Sequence, residues 1–165
     1  MSLFRSHDPF PVAEQTPDQR RATQLLNASM TYARLILRRY GELAPFAFSM
    51  DREGQIARET LDIPRLPRDT ERLWKLLTEH VADSIRRGNL QAVALIANVT
   101  LATPSAENFT DAIILTIEQA TGHALQINVP YKIYGGQFHN VIPRRITLGQ
   151  HVTEETTPRF FPLQA

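Results

Sequence analysis

Between residues 17 and 40, apolar side chains recur at alternating steps of four and three: Leu26, Met30, Ala33, Leu37 and Tyr40. That is the period of a helix with one face turned to a core. Thr16 stands at the N-cap position, Pro17 at the first helical position, Asp18 in the first turn, and Gly41 at the stop. Leu25, Tyr32, Leu35 and Ile36 widen the stripe, leaving Arg20, Gln24, Asn27, Thr31, Arg34 and Arg38 as the polar face. A helix lying on one sheet needs less apolar surface than this, so the pattern asks for a second partner, within the chain or in another subunit.

The period then falls to two. Pro45 to Met50 and Gln55 to Arg58 flank Asp51-Arg52-Glu53-Gly54, which suits a type I turn closed by a glycine bulge. Such a loop pairs Met50 with Ile56 and sets Phe46, Phe48, Met50 and Ile56 on one face. Residues 61–67, Leu-Asp-Ile-Pro-Arg-Leu-Pro, form a proline-stiffened connection. A second helix is predicted over about 69–87 and stopped by Gly88. Its stripe is Leu73, Leu76, Leu77, Val81 and Ile85, with Trp74 on the flank.

Residues 91–100 are nearly all apolar, which predicts a central strand covered on both faces. Strands at 111–119 and 124–132 form a hairpin around Thr121-Gly122-His123. A two-residue turn would oppose Ile117 to Gln126 and split the apolar rows, so a three- or five-residue loop is predicted. A further strand is predicted at about 144–148. The order α-β-β-α-β-β-β(-β) implies an α+β fold, an antiparallel sheet of about five or six strands with two helices mainly on one face. The chain divides into an arm at 1–15, broken by Asp8-Pro-Phe-Pro, one domain at 16–150, and a polar tail at 151–165. Phe160 and Phe161 in that tail are expected to dock somewhere, on a surface the sequence does not name.

Composition narrows the chemistry. With no cysteine among 165 residues, disulfides, thiolate nucleophiles, iron–sulfur clusters and cysteine zinc sites are excluded. The longest apolar runs, such as Ala92–Ala97, are far too short for a bilayer, and the first residues lack a secretory pattern. A cytoplasmic protein with no membrane partner is expected. Eighteen basic and 17 acidic residues give a net charge of +1, which offers no reason to expect nucleic acid. All the basic residues but Lys75 and Lys132 are arginine. The pairs at 38–39 and 86–87 fall in the last turns of the two helices, where cations suit the dipole.

Glycine-rich phosphate loops, nucleophile elbows and paired-histidine metal motifs are not seen, and histidines 7, 80, 123, 139 and 151 never fall at ligand spacing. No catalytic residue, metal or cofactor is expected. His80, on the apolar stripe of the second helix, reads as a hydrogen-bonded core or boundary histidine. Asp111 and Glu118 read as solvated or strand-end residues. The segment with most potential chemistry is 130–145, where Tyr131, Lys132, Tyr134, Gln137, His139, Asn140 and Arg144 surround Gly135-Gly136. These residues are able to line a small polar pocket, and paired glycines permit close approach of a ligand. The competing reading is an irregular crossing between strands.

The hairpin Pro45-Phe-Ala-Phe…Asp51-Arg-Glu-Gly54, the stretch Asp111-Ala-Ile-Ile-Leu-Thr-Ile-Glu118, a glycine turn and Pro130-Tyr131 resemble a pattern in small uncharacterised bacterial α+β proteins. The likeness covers about half the chain and implies no activity and no functional residue. The element order is also similar to roadblock and profilin-like folds, a likeness of topology alone. The expectation is a non-catalytic protein-interaction or regulatory module. It would self-associate through the helix at 17–40 or bind another cytosolic protein. The alternative is a small-molecule-binding domain or enzyme using 130–145.

Overall fold

The computed structural model describes residues 15–137 and 141–161, so most of the expected arm and the end of the tail lie outside the described residues. Helix α1 runs Pro17–Tyr40. Thr16 Oγ1 accepts from the Gln19 amide at 3.2 Å, and Gln19 Oε1 accepts from the Thr16 amide at 3.0 Å. This reciprocal capping box satisfies two donors that have no intrahelical partner, and such a cap contributes about 1 kcal/mol. At the other end Gly41 adopts φ 76° and donates to the Leu37 carbonyl at 2.8 Å.

Strands β1 (Phe46–Asp51) and β2 (Ile56–Glu59) form the first hairpin, with Met50 opposite Ile56. Helix α2 (Thr70–Arg86) follows, its Asp69 cap accepting from the Glu71 amide at 3.0 Å. Then come β3 (Leu90–Thr100), β4 (Asp111–Gln119), β5 (Ala124–Tyr134), β6 (Arg145–Leu148) and β7 (Val152–Glu155). All pairings are antiparallel, in the order β2-β1-β3-β4-β5, and the free edge of β5 is shared by β6 and β7. The β4–β5 register opposes Ile117 to Leu125 and Gln119 donates to the His123 carbonyl, giving the three-residue loop that the apolar rows require.

The fold is α+β with an antiparallel sheet and two helices, but the helices lie on opposite faces, which corrects the one-face arrangement. Even-numbered residues of β1 and β3 (Phe46, Met50, Ala92, Ala94, Ile96) pack under α1 with Leu25, Met30, Ala33 and Leu37. Odd-numbered residues (Ala47, Val93, Leu95) pack under Leu77, Val81 and Ile85 of α2. The reason is area. Helix α1 alone spans β1, β3, β4 and β6, which leaves α2 only the reverse face, over β1 and β3. The continuous apolar run of β3 is the consequence, since this strand is covered on both sides. Leu25, Met30 and Leu37 are fully buried, each such side chain contributing about 1.5–3 kcal/mol.

Among the described residues seven strands are present rather than five or six. The additional one, β7, lies in the stretch expected to be tail. It is four residues long with two glutamates, and so shows no usable period. Beyond it, Phe161 closes the core beneath α2, with Phe160 packed against it. No helix among the described residues is long and apolar enough to cross a membrane.

Candidate functional site

The surplus apolar surface of α1 begins at Tyr32, Ile36 and Tyr40, stacked one above another at i, i+4 spacing. Tyr32 finds its partner inside the chain. Its ring meets Phe46 edge-on with centroids 4.7 Å apart and Phe48 at 6.0 Å, and the Arg58 guanidinium lies 5.0 Å from the ring centre. Ile36 is half-buried, and Tyr40 is 58% exposed.

Opposite this stripe, β2 ends at Glu59 and the chain enters 60–69. Pro64 and Pro67 cannot donate to a ladder, so the connection stands off the sheet edge instead of extending it. The space between is a cleft of about 370 Å³, with walls that include Tyr32, Ile36, Leu43, Phe46, Leu66 and Leu73. Sharing Ile36, Leu43, Ala44 and Leu73, a second compartment of about 560 Å³ reaches Tyr40, Glu42 and Arg68. A third, of about 400 Å³, is lined by Arg65, Leu66, Pro67, Arg68 and Arg72. Together they form one groove, apolar along its floor, in the size range of ligand and peptide sites.

Glu59 forms part of the cleft wall and carries its main polar chemistry. Its Oε2 lies 2.8 Å from His80 Nε2 and 3.5 Å from Ser84 Oγ, while Oε1 accepts from Ser49 Oγ at 2.5 Å. Two serines, a histidine and a carboxylate are therefore gathered, but in the wrong order for nucleophilic catalysis. Activating a hydroxyl requires the imidazole between hydroxyl and carboxylate; here the carboxylate stands between the imidazole and each hydroxyl. The arrangement ties β1, β2 and α2 together. It also matches the expectation of a hydrogen-bonded core or boundary histidine on the second helix.

The residues of the 130–145 segment are dispersed by strand alternation. Tyr131 points into the core beneath α1, 4% exposed, and its hydroxyl donates to Asn98 Oδ1 at 2.7 Å. Burial pushes its pKa up to about 12; the Asp111 carboxylate adds to the rise and the Asn98 hydrogen bond opposes it. Lys132 and Tyr134 alternate to the opposite face, where the ammonium lies 5.1 Å from the tyrosine ring centre. Gln137 is exposed, and His139 and Asn140 lie outside the described residues. Arg144 reaches back to α1, donating to the Arg39 carbonyl at 3.1 Å and lying 3.5 Å from that of Arg38. The paired glycines have a structural use. Gly135 has φ 84°, and a Cβ placed there would stand 2.2 Å from the Pro143 carbonyl oxygen.

Two polar groups of β4 are buried, and one of them differs from its sequence reading. Glu118 is fully buried rather than solvated; its Oε1 accepts from the Arg159 and Phe160 amides at 2.7 and 2.8 Å, while Oε2 has no partner among the described residues. Gln119, also fully buried, links the sheet to α1 by donating to the Asp18 carbonyl at 2.7 Å and accepting from Arg21 Nε at 2.8 Å. Neither lines the groove. The groove residues were missed because their signal is weak: Leu61, Ile63 and Leu66 are apolar residues set among prolines in a segment with no period.

Comparison with protein-family models, with characterised proteins and with solved structures finds no match to this chain.

Proposed function

We propose that this chain is a non-catalytic interaction module of the cytoplasm, and that the groove between α1 and the 60–69 connection seats an apolar segment of a partner protein. The observation that carries this reading is convergence. Tyr40, Ile63 and Leu66 are large apolar side chains 58%, 38% and 55% exposed, and all three border the same groove. Scattered exposed apolar residues need no explanation, whereas a contiguous apolar concavity is the usual mark of an interaction site. Helix-in-groove and extended-peptide recognition both use such floors. Self-association through the helix at 17–40 is the homomeric form of this reading, with Ile36 and Tyr40 as the residues α1 contributes.

Peptide display against the immobilised chain tests it. Enriched peptides should carry apolar cores and should lose binding to Tyr40→Ala and Leu66→Ser variants, whose exposed side chains leave the core intact. Enrichment indifferent to both substitutions contradicts the assignment.

A second reading, small-molecule binding through 130–145, draws support from the Lys132–Tyr134 pair, an exposed cation over an aromatic face. A metabolite that raises the melting temperature of the wild type and not of Tyr134→Ala would favour it.

A further inference from the structure

We infer that the segment taken by this groove carries carboxylates beside its apolar core. The inference rests on the groove being a protein-docking site and adds the chemical class of the partner. Its basis is the charge around the groove. Arg65, Arg68 and Arg72 converge on one concavity together with Leu66 and Pro67, and Leu66 belongs equally to the apolar cleft. All three arginines are exposed. None takes part in the ion pairs of the described residues, which join Arg21 to Asp18, His80 to Glu59 and Arg86 to Asp83. A fourth arginine, Arg58, lines the apolar cleft itself, stacked on Tyr32.

The arginines do nothing evident for the fold. Arg68 precedes the α2 cap and Arg72 lies in its first turn, the end of a helix where a positive charge is unfavourable. The local acids do not offset them directly. The Asp69 carboxylate is engaged as the cap, Glu71 faces the Trp74 side of α2, and neither Glu42, which shares the neighbouring compartment with Arg68, nor the exposed Asp62 forms an ion pair with them among the described residues. Three guanidinium groups on one concavity repel one another until an anion enters, and guanidinium matches carboxylate with paired donors. The apolar floor argues against a bare inorganic anion. The combination fits a peptide whose apolar side chains enter the cleft while flanking Asp or Glu side chains reach the arginines.

The test uses two display libraries with the same randomised apolar core, one flanked by glutamates and the other by lysines, panned against the full chain. Glutamate-flanked peptides are expected to bind at least about tenfold tighter, with the advantage shrinking as salt rises. Arg65→Glu/Arg68→Glu should abolish or reverse that preference while leaving the melting temperature near the wild-type value. If both libraries bind equally, or the lysine library binds better, the inference is overturned and the docking groove survives. If neither yields binders, both readings fail.

Discussion

The His80 imidazole lies 2.8 Å from the Glu59 carboxylate, and this contact fastens α2 to the edge strand of the sheet. Glu59 is the hub, because Ser49 donates to its other oxygen and the floor of the groove lies alongside. Glu59→Ala leaves Ser49 and His80 without their partner and should cost about 2 kcal/mol in chemical denaturation. His80→Ala should cost less, since its ring is partly solvated. A double-mutant cycle should return a coupling of roughly 1 kcal/mol between them. Strict additivity would show that the contact does not fasten the helix.

Tyr131 supplies the clearest pH dependence. Its pKa is raised to about 12 by burial, above the usual tyrosine value, so the folded state holds the phenol proton longer than the unfolded chain. The stability it contributes is complete below about pH 10 and is lost as pH rises through the folded value. Ultraviolet titration should show one late phenolate step. Tyr131→Phe should remove that step, and loss of the bond to Asn98 should cost about 1 kcal/mol.

The neighbouring glycines should separate cleanly by substitution. A Cβ at Gly135 meets the Pro143 backbone oxygen at 2.2 Å, whereas one at Gly136 meets the flexible Arg144 side chain at 2.9 Å. Both have positive φ, so both substitutions carry backbone strain of about 1–2 kcal/mol. Gly135→Ala should therefore destabilise well beyond Gly136→Ala in thermal unfolding. Equal losses would mean that the Pro143 contact is not the constraint.

Much of this fold was legible in local signals. Thr16, Pro17 and Gly41 bound α1, Met50 opposite Ile56 follows from Gly54, and the apolar rows ending at Ile117 and starting at Leu125 impose the loop length. The face chosen by α2 was not legible, because its stripe shows that one side is buried without saying against which side of the sheet. Glu118 illustrates the same gap. Alternation places it opposite Ile117, but its burial depends on residues 159–161 returning over that face. The 130–145 chemistry looked concentrated in sequence, yet a two-residue period sends Tyr131 and Lys132 to opposite faces. The groove depends on where a structureless, proline-rich connection comes to rest, and no periodicity encodes that.

Glu118 and the C-terminal segment yield a further expectation. The carboxylate holds two consecutive backbone amides, and Phe161 is buried just beyond them. Glu118→Ala should cost about 1.5–3 kcal/mol, as for hydrogen bonds to a charged group. It should also speed hydrogen exchange at Arg159 and Phe160 more than at the β4 amides. Unchanged exchange at those two positions would show that Glu118 does not anchor the segment.

The central claim is that the groove beside α1 is where this protein meets its partner. Amide chemical-shift mapping of the labelled full chain, titrated with a display-selected apolar peptide, tests it most directly. The account predicts saturable shifts concentrated at Ile36, Tyr40, Leu66, Leu73 and their neighbours, with residues 131–134 and 144–148 unmoved. Shifts centred on 131–148 instead would contradict it.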